Sequence, residues 1–327
     1  MNTLSGCKNL TLLIPGFMRP ECVLASEQPT LPLLLSRADS KRCSAVHVDA
    51  LVFELFSIPT DDGELPAAPL TYALDCGDPG DGYLLRADPV YCQADRGRVL
   101  LLGREPGLTQ DEADSMVADL NRLFVEDGWT FMAPQADRWY LKMADAEQIK
   151  TTPLATVMGQ NIHDFLPRSA KSVELHRAMS EIEMLLHSNL ANQQRLSNQQ
   201  LPVNNLWIWG GGRLPAKPET AWAQVWSGDS LALAVAKHAG VPRCDCPTSA
   251  SQWLQQAITP GHHLVALAAP DEVYQFDQLW FAPLAAALKS GQLDTLTLWL
   301  DNGYQYTLTK KSLRRWWRRG REMKSFL

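Results

Sequence analysis

The chain has 327 residues, 46% of them hydrophobic and 20% charged, which supplies ample apolar material for a core and argues against intrinsic disorder. No apolar run approaches the roughly 18 residues of a membrane-spanning helix. The net charge of −6 is uneven: Lys310 to Leu327 carries eight Lys/Arg against one Glu, or +7, so the remainder carries −13, which argues against a broad nucleic-acid surface.

The chain opens with one lysine before a short apolar run that reaches Pro15-Gly16 without a small-residue cleavage site. We therefore expect a first strand over Leu10 to Ile14, not a secretion signal, and a cytoplasmic protein. "LPLLLSRAD" reads as a short helix, and the apolar run near Val46 to Phe56 reads as a strand. "PTDDGELPAAP" and "DCGDPGDG" are dense in Pro, Gly and Asp and mark a domain boundary near residue 80.

From Tyr83, "YLLRADPVYCQADRGRVLLL" reads as paired strands and "RWYLKM" as another. Between them "LTQDEADSMVADLNRLF" is a helix. Thr109 caps it with Glu112 three residues on, and Ala113, Met116, Val117, Leu120 and Phe124 share one face. A second long helix over Ser172 to His187 buries Leu175, Ala178, Met179, Ile182, Leu185 and Leu186. His176, Glu183 and His187 lie on its polar face, but the two histidines are about 16 Å apart at the helical rise and cannot share an ion. His163-Asp164 reads as loop polarity. Strand–helix alternation resumes with "GDSLALAVAKHAG", "HHLVALAA", "LWFAPLAAALKSG" and "LDTLTLWL", which makes the chain α/β with a middle segment that looks inserted.

Seven cysteines in no framework spacing fit reduced thiols. Cys244 and Cys246 form the one close pair, and the adjacent His262-His263 do not supply the second ligand pair that a structural zinc needs. The basic tail "KKSLRRWWRRGREMKSFL" is expected to be a terminal helix docked by Leu313, Trp316 and Trp317. Contact of its basic face with an anionic surface, membrane or nucleic acid, is the alternative.

"LPVNNLWIWGGGRLP" sets two tryptophans against three glycines. It lacks the Lys-Ser/Thr of a P-loop and the spaced glycines of a dinucleotide site, so we read a structural turn ahead of a phosphate cradle. In order along the chain, "YLLRADPVYCQADRGRVLLL", "LTQDEADSMVADLN", "DRWYLKM" and this Trp-Gly segment resemble the archaeal-type cofactor-independent phosphoglycerate mutases. Those carry similar "YRCNLV", "EEA…LN", "YRHLLV" and "PAN…IWLWGQG" segments. The resemblance is closer still to the phosphoglycerate-mutase-like regulatory proteins of bacteria, the RpfE type.

That resemblance implies an alkaline-phosphatase-like core sheet flanked by helices, formed by residues 1–80 and 200–327, with a smaller inserted α/β domain over residues 81–199. It also implies a site of two divalent metals, Mn or Zn, and a Ser or Thr nucleophile. Here the sequence departs from the pattern. Pro15-Gly16 stands where the family has Asp-Gly, and "LPAAPL" (Leu65 to Leu70) has no hydroxyl where the nucleophile is expected. "APDEVYQFD" keeps Asp271 but has Gln275 in place of a histidine; "LDNGYQY" keeps Asp301 but has Asn302 in place of another. Amides are poor ligands for Zn or Mn compared with imidazole, so we expect no metal cofactor and no catalysis.

What the resemblance leaves is a cleft bordered by Gly210, Gly211 and Gly212. Arg86 and Arg138 match family arginines, and with Arg195, Asn204 and Asn205 they are the candidates to bind a small phosphorylated or carboxylated metabolite. The expectation is a degenerate, regulatory phosphoglycerate-mutase-like protein with a metabolite or protein partner; the alternative is an active mutase or metal-dependent phosphohydrolase.

Overall fold

The structure is a computed structural model that describes residues 8–19, 29–43, 47–60, 63–104, 107–143, 149–168, 172–269, 275–318 and 320–326. Its strands are β1 (Lys8–Leu13), β2 (Asp39–Arg42), β3 (Tyr83–Asp95), β4 (Arg98–Arg104), β5 (Thr130–Gln135), β6 (Arg138–Met143), β7 (Asn205–Gly212), β8 (Trp222–Ser227), β9 (Arg243–Cys244), β10 (Gly261–Ala266), β11 (Thr295–Trp299) and β12 (Tyr304–Thr309). The helices used below are α1 (Leu31–Arg37), α2 (Val48–Leu55), α3 (Ala67–Asp75), α4 (Gln110–Leu123) and α5 (Ser172–Ser188). Two compact units result: Met1–Ile58 with Lys217–Leu327, and Pro59–Ala216.

The first unit is a seven-stranded sheet of order β2-β12-β11-β1-β10-β8-β9. β1 lies parallel between β10 and β11, with Leu12 opposite both Val265 and Leu298. Leu10, Thr11, Leu12 and Leu13 are all buried, as a central parallel strand covered on both faces requires. Leu10 and Leu12 enter a core with Trp253, Trp280, Phe281, Leu296 and Leu298. β12 and β2 close one edge in antiparallel register.

The run expected as a strand near Val46 to Phe56 is instead α2, with Leu51, Val52 and Phe53 buried. Val48, Leu51, Val52 and Leu55 fall at i, i+3, i+4 and i+7, a helical spacing that outweighs the β-branched valines. The expected C-terminal helix does not form among the described residues of the tail, where Met323–Phe326 is a short 3₁₀ turn. Ser312–Arg314 forms a single 3₁₀ turn, and Trp316 and Trp317 are 78% and 64% exposed instead of docked.

In the second unit, β3 is the hub of an antiparallel sheet. Its first half pairs with β6 and β7 on opposite edges, and its second half pairs with β4. α4 and α5 pack over this sheet, burying Met116, Leu120, Leu175, Ile182 and Leu186 with Trp139 and Leu206; Leu185 is partly buried beside them. The boundaries differ from those expected at residues 80 and 200. Ala68 of α3 packs with Leu84 and Tyr140, and β7 is hydrogen-bonded to β3, so both α3 and β7 belong to this unit.

α4 begins with the capping box read from its sequence. The Thr109 side chain accepts from the Glu112 N–H, and Glu112 accepts in return from the Thr109 N–H at 2.8 Å. Thr109→Ala should therefore destabilise the protein by about 1 kcal/mol in urea unfolding, while Thr109→Ser should stay within about half of that.

Candidate functional site

In a parallel sheet, loops at the carboxyl ends of the strands are where ligands gather. In the first unit, Pro15 and Gly16 follow β1 there, and Asp301 and Asn302 follow β11. The Gly16 N–H donates to Asp301 Oδ2 at 3.0 Å, so this retained acid caps the neighbouring loop. Burial raises the Asp301 pKa, against the pull of that N–H and of the His47 and Arg19 charges. His47 and Arg19 were not picked out from the sequence. They lie in loops that no periodic pattern places beside Asp301.

Asn302 is engaged as well: its Nδ2 donates to the Phe326 carbonyl and the Tyr306 hydroxyl, both at 2.9 Å. Gln275 is exposed, and Asp271 lies outside the described residues. Among the described residues, no three His, Cys, Asp or Glu side chains come together to hold a metal, and the pair Cys244 and Cys246 gathers no partners for one. The Asn302 amide is committed within its own chain on both sides, since Nδ2 donates twice and Oδ1 accepts from the Tyr304 N–H at 3.3 Å, so the described donors at this edge do not fit a pair of Mn or Zn ions.

The candidate anion-binding residues all lie in the second unit. Arg86 is 1% exposed. Its guanidinium carbon sits 5.5 Å from the Tyr140 ring centroid and 5.6 Å from that of Trp209. Nε and Nη2 both bond Asp88 Oδ1, and Nη1 reaches the Thr71 hydroxyl at 3.4 Å. Asp88 Oδ2 accepts from Trp209 Nε1 at 2.7 Å. Desolvated on all sides, this cation is held by one carboxylate and two ring faces, an arrangement that serves a core more readily than a ligand.

Arg138 grips Asp75 with two bonds of 2.6 and 2.7 Å, and Asp75 also accepts from the Tyr140 hydroxyl at 2.6 Å. Burial, chiefly, raises the pKa of Tyr140. Arg195 is buried too, donating to Glu112 at 3.0 Å and to the Leu201 carbonyl at 2.9 Å. Asn204 bonds the N–H and the carbonyl of Cys92 with its side-chain amide, while the Asn205 side chain accepts from the Leu206 N–H. A single anion shared by Arg86 and Arg138, with Arg195 adding donors, is therefore not what the geometry presents. Each guanidinium has an acid of this chain as its counter-ion.

The three glycines do not form a turn after the strand; they are its last residues. Leu84 pairs Gly212 while Arg86 pairs Trp209, so β7 carries an extra residue there, and Gly210 takes it up with φ of +68°. A Cβ on Gly210 would come within 2.9 Å of the Ala67 Cβ, and one on Gly211 within 2.5 Å of the Tyr83 hydroxyl. Close packing against α3 and β3 thus demands glycine here. The freed backbone donors are taken internally. Gly210 N–H donates to the Thr151 hydroxyl and Gly211 N–H to Glu64 Oε1, both at 2.9 Å, and Glu64 also accepts from the N–H and hydroxyl of Thr151.

Ala67 and Ala68, within the stretch where a nucleophile was sought, are fully buried. The next hydroxyl, Thr71, is buried and donates to the Ala67 carbonyl at 2.8 Å. His163 and Asp164 are exposed on a one-turn helix, as their reading as loop polarity expects.

No protein-family model matches the chain. A stretch of 67 residues is 36% identical to a 2,3-bisphosphoglycerate-independent phosphoglycerate mutase of Methanothrix thermoacetophila, and one of 63 residues is 29% identical to a probable enzyme of the same name from Geobacter sulfurreducens. The matches cover 20% and 19% of this chain and only 17% and 16% of those relatives. Among solved structures, a cofactor-independent phosphoglycerate mutase from Thermoplasma acidophilum aligns with 92% of this chain and 90% of its own at 15% identity, with a TM-score of 0.44. The PH0037 protein from Pyrococcus horikoshii aligns with 93% and 87% at 13% identity, with a TM-score of 0.53, a likeness of fold.

The Glu64 carboxylate stands where an external anion was sought, and burial raises its pKa despite the bonds it accepts from Thr151, Gly211 and Gly210. A carboxyl with a raised folded pKa binds its proton more tightly folded than unfolded. Its effect on stability is most favourable below the ordinary value of 4.5 and is lost as pH rises through the raised one. The difference in unfolding free energy between the wild type and Glu64→Gln should change across that window and level off above it. Glu64→Ala, which strands the Thr151 and Gly211 donors, should cost about 1–3 kcal/mol in urea unfolding at neutral pH.

Proposed function

We propose that this chain is a non-catalytic binding protein on a phosphoglycerate-mutase-like scaffold, with a regulatory role and a protein as its partner. The observation that carries the reading is the use of Asp301 and Asn302 to close loops at the carboxyl edge of the first sheet. A two-metal phosphoryl-transfer site needs several carboxylates and imidazoles turned toward shared ions. Here Asp301 accepts from a backbone N–H and its neighbour Asn302 is an amide bonded within its own chain.

The arginines favour a protein partner over a small metabolite. Arg86, Arg138 and Arg195 are paired within the second unit, so a phosphate or carboxylate would have to displace Asp88, Asp75 or Glu112. Displacing a buried counter-ion costs several kcal/mol before any ligand bond forms. The second reading, an active mutase or phosphohydrolase, draws on the local 36% identity to the Methanothrix enzyme. It would require metal ligands other than Gln275 and Asn302 and a nucleophile more accessible than Thr71.

Protein loaded with Mn, desalted and subjected to elemental analysis should retain well under one equivalent, and a coupled assay should detect no exchange of 3- and 2-phosphoglycerate. Turnover in the usual range of about 1–1,000 per second would overturn the non-catalytic reading. In thermal unfolding, phosphorylated three-carbon acids should leave the midpoint unchanged. A saturable gain approaching the roughly 2.7 kcal/mol expected at 100 times Kd, abolished in Arg138→Ala, would restore a metabolite as the ligand.

A further inference from the structure

The segment that follows β12 in the first unit is fastened down at several points. Arg37 Nη1 donates to the Leu313 carbonyl at 2.7 Å, and Leu313 is itself buried. Arg315 makes two bonds to Asp39, of 2.6 and 2.9 Å, and a third to the Arg37 carbonyl at 2.9 Å. Arg318 Nη1 reaches the Ala38 carbonyl at 3.0 Å, and the Arg321 N–H reaches Ser36 Oγ at 3.1 Å. Against this pinned backbone, the Trp316 and Trp317 side chains stand out in solvent with ring centroids 6.0 Å apart and planes at 84°.

This is not how the chain treats its other large indoles. Trp139, Trp253 and Trp299 are fully buried. Each exposed indole leaves an apolar face of the kind that contributes most when desolvated, and two adjacent ones make a single patch. The segment that carries the patch is strongly basic: Lys310, Lys311, Arg314, Arg318, Arg321 and Lys324 are exposed, with Glu322 the one acid of the segment. Asp39, the nearby counter-charge, is already bound to Arg315, which holds its carboxyl below the usual range.

We propose that this tryptophan pair and its basic surround form a docking site for an anionic phospholipid surface. Indoles settle at the depth of the headgroups, where the apolar ring is buried and the N–H still finds a partner. Lys and Arg reach lipid phosphates from the same plane. The attachment is peripheral, since among the described residues no helix is long and apolar enough to cross a membrane. Single-stranded nucleic acid fits less well. Successive bases stack on faces that are roughly parallel, and indoles at 84° cannot offer two such faces, whereas a headgroup layer accepts rings in any orientation.

The intact protein should float with phosphatidylcholine vesicles that contain phosphatidylglycerol at low salt. Binding should fall about tenfold or more on pure phosphatidylcholine, at high salt, or in the double variant Trp316→Ala/Trp317→Ala. Because both indoles are exposed, the variant should keep the wild-type circular dichroism and unfolding midpoint, which separates a lost contact from a lost fold. Absence of flotation at low salt, or flotation equal in wild type and variant, overturns the proposal. So does tryptophan-dependent binding of a single-stranded oligonucleotide, or tryptophan-dependent self-association, found in place of vesicle binding.

Discussion

The first unit depends on one strand whose partners are all remote in sequence. β1 comes from residues 8–13, yet its neighbours come from residues 261–266 and 295–299. Without it β10 and β11 have no common neighbour, and Leu10 and Leu12 leave the core they share with Leu296 and Leu298. The same placement brings Gly16 to Asp301, because the loops leaving two adjacent parallel strands emerge side by side. The chemistry at that edge follows from strand order before any side chain is chosen.

A second regularity concerns charge. In the second unit three arginines drawn into the interior each meet an anion of the chain: Asp88 for Arg86, Asp75 for Arg138, Glu112 for Arg195. Wherever it frees backbone donors beside Gly210 and Gly211, it supplies Glu64 and Thr151. Charges desolvated without partners cost far more than the coulombic attraction of a passing ligand can return. In the second unit the polar groups that look ligand-seeking in the sequence thus serve to lock α3, β3, β6 and β7 together.

Much of the fold was legible because it is written in local periodicities. β1 shows as a short apolar run, and the capping box at Thr109 and the buried face of Ser172–Ser188 follow from spacings of three and four residues. The partner of Arg86 was within reach of the same logic: Asp88 is two residues along a strand and so points to the same face. Asp75 was not, lying 63 residues from Arg138 with nothing local to couple them. The tail misled for a related reason. Its tryptophans fit one face of a helix, but Arg315 and Arg318 find acceptors at Asp39 and Ala38, some 280 residues earlier, and those bonds hold the backbone in a non-helical path. The glycines were read as a turn because sequence shows flexibility; only the pairing of β7 with β3 shows a bulge.

The discontinuity of the first unit has a consequence for biosynthesis. Residues 59–216 form a continuous unit, so a ribosome can finish it while β10 and β11 remain untranslated. The apolar strand at residues 8–13 must meanwhile stay unpaired, since β11, at residues 295–299, is made some 280 residues later. At synthesis rates of about 5–20 residues per second, that wait is on the order of ten seconds or more. During it Leu10 to Leu13 is an exposed, sheet-forming edge, and the nascent chain depends on a chaperone or on speed to keep that edge from other partners.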